Sequence, residues 1–141
     1  MSITERQIFL IQSSFRRLMP YSEKIASLFY KRLFELDPSL KALFKSDMQE
    51  QKRKLMYTLS ILVTRLDNLN MIVPMIQHLG KQHSNLYGVK QEHYSLVGEA
   101  LLWTLEQQLQ NHFDAEVKAA WSDLYKLLAA TTVEAAYSGK Q

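Results

Sequence analysis

An all-α fold of seven or eight helices is what this sequence predicts, on three observations. Apolar residues recur at steps of three and four along every long stretch, the spacing that lines one face of a helix. Proline, aspartate and asparagine punctuate those stretches at positions where helices start or stop. No stretch alternates polar and apolar residues for long enough to make a strand, and no internal repeat, linker or low-complexity segment interrupts the pattern. At 141 residues, the chain is expected to form one domain over residues 1–141, large enough to bury its own core.

The first helix opens at Thr4-Glu5-Arg6-Gln7, a capping box, with Ile3 and Ile8 placed for the hydrophobic staple beside it. Ile8, Ile11, Phe15 and Leu18 form its apolar stripe, and Met19-Pro20 should end it, because proline restricts the residue before it. A second helix is predicted from about Tyr21 to Leu36. Its apolar residues (Ile25, Leu28, Phe29, Tyr30, Leu33, Phe34) cover more than one face, so it should be buried on two sides. Asp37-Pro38 supplies an N-cap followed by proline at the first helical position, opening a short helical turn to about Leu43. After Phe44 and a polar link, Ser46 with Gln49 or Asp47 with Glu50 could cap the next helix. That helix carries Gln51, Leu55, Thr58, Leu59, Leu62 and Leu66 on one stripe.

Asn68 to Asn70 break the pattern, and a helix over Met71 to about Tyr87 follows. Ile72, Ile76, Leu79 and His83 share its stripe, at steps of four, three and four, whereas His78 points elsewhere, towards polar neighbours. Tyr87-Gly88-Val89 reads as a turn, with Gly88 at a positive φ. A long helix from about Gln91 to Leu109 should bury Tyr94, Val97, Leu101, Leu102 and Leu105. Gly98 in its middle costs about 1 kcal/mol relative to alanine, and a close helix crossing is the natural reason for it. Asp114 caps the last helix, in which Val117, Trp121, Leu124, Leu128 and Ala135 repeat at helical steps.

Composition narrows the functional classes. Apolar residues make up 47% and aromatic residues 11%, as in a folded globule rather than a disordered chain. The net charge is only +3, no basic run exceeds Lys52-Arg53-Lys54, and no nucleic-acid-binding signature accompanies it, so no nucleic-acid partner is expected. Without cysteine there are no disulfides, thiolate metal sites or cysteine nucleophiles. The N-terminal stretch MSITERQIFLIQ mixes acidic and polar residues with apolar ones, unlike a signal peptide, and no apolar run approaches the ~18–20 residues that span a membrane. The expectation is a soluble, cytoplasmic protein without a membrane partner.

Two long amphipathic helices, joined by a short break, each place one polar residue on an apolar stripe: Gln51 near the start of one and His83 near the end of the other. Helices joined this way tend to lie antiparallel, which brings those two residues face to face across a gap. An inward histidine is either a hydrogen-bonded core residue or a ligand. A flat apolar cofactor with a central metal would suit such a gap, with imidazole as the permanent axial ligand and an amide over the open side.

The stretches LFYKRLFELDPSLKALF, EQKRKLM, LGKQH, YGV, HYSLVGEALL and AAWSDLY, in this order, carry a resemblance to the globin family over about Ile3 to Tyr137. The sequence is similar to bacterial single-domain haemoglobins and to the globin domain of flavohaemoglobins, with similarity to neuroglobin in the last two helices. In particular, 32 residues separate Gln51 from His83, and Phe44 stands seven residues before Gln51. The resemblance implies a three-over-three helical sandwich around haem b. His83 resembles the proximal haem ligand, and Phe44 the phenylalanine that stacks on the haem before the distal helix. Tyr30 and Gln51 resemble the distal polar pair, Leu55 the apolar residue one turn on, and Tyr94 a proximal-side tyrosine. Leu79, Tyr87, Val89 and Val97 are implied as further haem contacts, and Lys54 resembles residues that pair with a haem propionate.

Each reading has a plainer counterpart. Phe44, Leu55 and Val97 are core residues in any case, Tyr30 could be a core tyrosine bonded to a carbonyl, and Lys54 could be a solvated helix charge. His78 and His112 read as surface residues, and His93 as a support for the turn or a propionate contact. If the resemblance holds, phenol and amide donors would stabilise bound dioxygen by roughly 1.5–3 kcal/mol, and carbon monoxide, which polarises less, should gain less. Glutamine ligates iron poorly, so an open sixth position, or water in the ferric form, is expected. One departure stands out. The late glutamate with which flavohaemoglobins support the proximal pair aligns here with Ala136, and Glu134 lies two residues earlier, which puts strong proximal push in doubt. No Gly-rich dinucleotide motif is present, so turnover would need an external reductase. The expectations are therefore a dioxygen-binding protein, a nitric oxide dioxygenase with a separate reductase, a redox or ligand sensor, or a haem-free globin-like signalling module. The last is disfavoured by His83, Phe44 and the Tyr30–Gln51 pair. A monomer or weak homodimer is expected.

Overall fold

The computed structural model describes residues 3–44, 47–68, 71–78 and 92–138, with the backbone alone for 131–138. Six α-helices occur among them: α1 (Glu5–Leu18), α2 (Ser22–Leu36), α3 (Met48–Thr64), α4 (71–78), α5 (His93–Leu109) and α6 (Ala115–Ser138). The six-residue 3-10 helix Pro38–Leu43 makes a seventh, shorter 3-10 turns occupy several other junctions, and no strand occurs among the described residues.

The helices begin where the side chains can satisfy the first free amide groups. At α1, Thr4 Oγ1 accepts from the Gln7 amide at 3.0 Å while Gln7 Oε1 accepts from the Thr4 amide at 3.1 Å, the reciprocal capping box. Arg16 and Arg17 in the last turn of α1 complement its dipole. Pro20 sits in the first turn of the 3-10 segment that follows. Asp37 Oδ1 accepts from the Ser39 hydroxyl at 2.6 Å and the Ser39 amide at 3.0 Å, and these two bonds hold its carboxyl below the usual carboxylate range. Asp47 caps α3 through the Gln49 amide at 3.0 Å, which settles the choice between Ser46 and Asp47. Asp114 caps α6 through the Val117 amide at 2.8 Å.

Helix α2 packs on both α5 and α3, α1 packs on α6, and α5 also packs on α6. The main core lies among these contacts, with Phe15 and Leu18 from α1, Phe29 and Leu33 from α2, Leu105 from α5, and Trp121 from α6. A smaller cluster joins Leu62 of α3 to Ile72 and Ile76 of α4, two members of the predicted stripe. A buried polar contact ties the outer pair together: Trp121, 1% exposed, donates from its indole nitrogen to Ser14 Oγ at 2.8 Å. The Ser14 hydroxyl in turn donates to the Leu10 and Ile11 carbonyls of its own helix.

Two helices differ in detail from the periodic reading. On α3, Met56 and Val63 are buried beside Gln51 and Leu62, while Leu55, Thr58 and Leu59 keep part of their surface exposed. The buried arc is wide because α3 contacts both α1 and α2 rather than one neighbour. On α5, Leu101 and Leu105 are buried as predicted, whereas Tyr94, Val97 and Leu102 are only half-buried. The closest packing there falls instead on the small residues Gly98, Ala100 and Thr104, the last returning its hydroxyl to the Ala100 carbonyl at 2.8 Å.

Candidate functional site

Tyr30 is the buried polar member of an otherwise apolar inner face of α2, with 7% of its surface exposed. The turn at Asp37–Pro38 ends α2, and the 3-10 helix it opens leads the chain to Phe44, whose amide donates to the Lys41 carbonyl at 3.2 Å. Because that turn packs back on α2, the Phe44 ring sits 5.5 Å from the Tyr30 ring, edge-on at 74°, and 5.7 Å from the Phe34 ring. Phe34 lies 6.0 Å from Tyr30, and Phe29 meets Tyr30 edge-on at 5.1 Å. These separations are in the favourable range for aromatic pairs, so three rings pack against the phenol.

Gln51 stands in the first turns of α3, placed there by the Asp47 cap. Its amide nitrogen donates to the Asp47 carbonyl at 3.1 Å, and its side chain is nearly as buried as Tyr30, at 7% exposure. Phe34 and Phe44 pack beside Tyr30, and Leu55 and Leu59 of α3 and Leu96 and Val97 of α5 likewise touch the core yet remain partly uncovered. A phenol and an amide set in an incompletely covered apolar wall fit a flat apolar macrocycle that carries a polar ligand at its centre. The described residues therefore fit haem.

Tyr94 belongs to the first turn of α5 and is half-buried. Its carbonyl accepts a 2.5 Å hydrogen bond from the Tyr125 hydroxyl of α6. The Tyr125 ring lies against Gly98, so close that a Cβ on that glycine would be 2.6 Å from a ring carbon. Burial, and secondarily the neighbouring Tyr94, push the Tyr125 phenol above its ordinary value. The crossing expected at Gly98 is thus present, made by a tyrosine ring rather than by helix backbone. Val97 shares this turn of α5.

Lys54 is exposed, its Nζ 3.6 Å from Glu50 Oε1 one turn earlier. His78 and His112 are exposed as expected, and His93 is half-buried at the first position of α5. His83, with Leu79, Tyr87 and Val89, lies outside the described residues, and Glu134 and Ala136 fall where the backbone alone is described. The periodic reading did not single out Phe34 and Tyr125 as site residues. Phe34 was detectable as an aromatic one turn beyond Tyr30, and Tyr125 as an aromatic one turn beyond Trp121.

A family model described as Globin matches residues 27–132. A flavohemoprotein of Bacillus subtilis is 28% identical over 130 residues, which is 90% of this chain and 32% of that protein. The chain spans about a third of the length of the curated flavohemoproteins it matches. Neuroglobin-1 of Oncorhynchus mykiss is 28% identical over 91% of this chain and 89% of its own. Among solved structures, an engineered carbene transferase made from a candidate nitric oxide dioxygenase of Rhodothermus marinus superposes with a TM-score of 0.87 at 25% identity, covering 97% of this chain and 95% of that one. Agreement over nearly all of the chain bears out the predicted helical sandwich.

Proposed function

The chain belongs to the globin family, whose members bind haem, and from that premise we propose that it holds haem b through His83 and binds dioxygen reversibly. Ferrous haem, when bound, supplies an iron that takes a diatomic gas. The observation that supports the reading is that Tyr30 and Gln51 are both buried polar residues, each 7% exposed, while Phe34, Phe44 and Leu55 leave part of their apolar surface uncovered. In this reading the Tyr30 phenol and the Gln51 amide donate to the polarised ligand, each donor contributing roughly 1.5–3 kcal/mol at most. Leu55, Leu79, Val89 and Val97 exclude water, Phe44 and Tyr87 flank the macrocycle, and Lys54 exchanges its Glu50 partner for a propionate.

A second reading uses the same residues for chemistry. The similarity to flavohemoproteins and to the candidate nitric oxide dioxygenase favours conversion of nitric oxide and dioxygen to nitrate. That reaction consumes one electron per turnover, which a separate reductase would return. The experiment that tests the binding reading is the dioxygen release rate of Tyr30→Phe, expected to rise about ten-fold or more. An unchanged rate would reduce Tyr30 to a packing residue. Sustained nitric oxide consumption with a supplied reductant would favour the enzyme.

A further inference from the structure

The outer sides of α2 and α5 carry a pattern that gas binding does not use. On α2, Lys24, Leu28, Lys31 and Glu35 recur at steps of four, three and four, which sets them on one line. Along α5 and its N-cap, Glu92, Leu96, Glu99, Trp103 and Glu106 recur at steps of four, three, four and three. Lys24, Lys31, Glu92, Glu99 and Glu106 are exposed, and among the described residues none of them is in an ion pair. Helix α5 contains no lysine or arginine, so its outer line is acidic throughout. Leu28 and Trp103 keep part of their surface exposed and belong to neither core cluster. Arg32 joins the two lines, its guanidinium 5.2 Å from the centre of the Trp103 ring. Its Nε is buried without a hydrogen-bond partner, and its contact with Glu35 is long, at 4.0 Å. The guanidinium therefore has donors to spare for another carboxylate.

We infer that this face docks a second copy of the chain. An occupant must be acidic opposite α2, basic opposite α5, and apolar opposite Leu28 and Trp103. The face itself meets that description once it is turned through 180°. A two-fold axis passing between α2 and α5 lays α2 of each copy over α5 of the other, so each interaction occurs twice, as an isologous interface requires. The Arg32–Trp103 contact marks where the two helices adjoin, and Lys31 and Glu99 flank it, so residue 31 of each copy faces residue 99 of the other. Tryptophan and arginine are enriched among the residues that dominate interfaces, and here they stand at the centre with charge around them. The opposed charges set the register and exclude a like-charged approach.

Sedimentation velocity of the purified full chain over about 1 µM to 1 mM tests this. A reversible dimer should form and weaken as salt is raised, because exposed charges are screened beyond about 8–10 Å. Lys31→Glu and Glu99→Lys, each alone, should raise the dimer dissociation constant about ten-fold or more, since like charges then oppose each other twice. An equimolar mixture of the two variants should restore the dimer, because residues 31 and 99 again meet as opposite charges at both contacts. Both substitutions fall on exposed helix positions, and far-UV circular dichroism checks that each variant is folded. In the isotope-labelled wild type, dilution should shift backbone amide resonances of residues 24–35 and 92–106. A chain that stays monomeric over the whole range, a mixture no tighter than its separate variants, or dilution shifts confined to other residues would overturn the inference. Haem does not enter this test, so a protein that loads no haem fails the functional reading and not this one.

Discussion

Gly98→Ala sets two opposed effects against each other at one atom. Alanine is the better helix former by about 1 kcal/mol, so an exposed mid-helix glycine would gain stability from the change. Here the new methyl would stand 2.6 and 2.8 Å from two carbons of the Tyr125 ring and 3.3 Å from a third. That ring cannot swing away cheaply, because it is partly buried and its hydroxyl is tied to the Tyr94 carbonyl at 2.5 Å. Overpacking of this kind costs about 1–3 kcal/mol, and displacing the ring forfeits a hydrogen bond worth about 1 kcal/mol. The helix-propensity gain offsets roughly the hydrogen bond, leaving a net loss of about 1–3 kcal/mol. Urea unfolding of the haem-loaded protein, followed by far-UV circular dichroism, should show that loss, and the melting temperature should fall by roughly 3–10 °C. In a Tyr125→Ala background the same substitution should become neutral or stabilising. If Gly98→Ala raises stability in the otherwise unaltered chain, the close approach of α6 to α5 at this position is wrong.

Four further outcomes are expected. Ser14→Ala leaves the Trp121 indole N–H buried without its acceptor and should cost about 1–3 kcal/mol in the same unfolding assay, whereas an unchanged midpoint would deny the bond any importance. Gln110 ends α5 at φ 49° and ψ −114°, a conformation favoured by glycine, so Gln110→Gly should stabilise by about 1 kcal/mol, read as a higher melting temperature. The raised Tyr125 phenol stays protonated in the native state while its unfolded counterpart ionises near pH 10. Its contribution is therefore fully present below that pH and lost as pH rises above it, and Tyr125→Phe should flatten the alkaline limb of the stability profile. Thr4→Ala removes one half of the capping box and should cost about 1 kcal/mol, with α1 fraying first in amide exchange.

Much of the helix map was legible because it is written in local chemistry. Thr4, Pro20, Asp37, Asp47 and Asp114 act within four residues of themselves, and each ends or opens a helix where its side chain requires. What the sequence could not show was which distant side chains meet. Gly98 announced a close approach but not that its neighbour would be the Tyr125 ring, and Ser14 gave no sign that its hydroxyl receives Trp121 from a helix 107 positions away. The stripe on α3 was read as one line because periodicity assumes one neighbour, and α3 has several. At the candidate site the order was reversed. Tyr30 and Phe44 were marked by family resemblance and Gln51 already by its place on an apolar stripe, and the structure supplies a physical ground for them: Tyr30 and Gln51 are buried polar groups, and the Tyr30 and Phe44 rings pack together.

The central claim, haem held through His83 with an open site beneath Tyr30 and Gln51, is tested most directly by the visible absorption spectrum of the protein reduced with dithionite without oxygen. It should be measured for wild type and for His83→Ala. The account predicts a single broad band of five-coordinate high-spin ferrous haem in the wild type, and lost or loosely held haem in the variant. Sharp paired bands of a six-coordinate low-spin haem in the wild type, or an unchanged spectrum after His83→Ala, would contradict it.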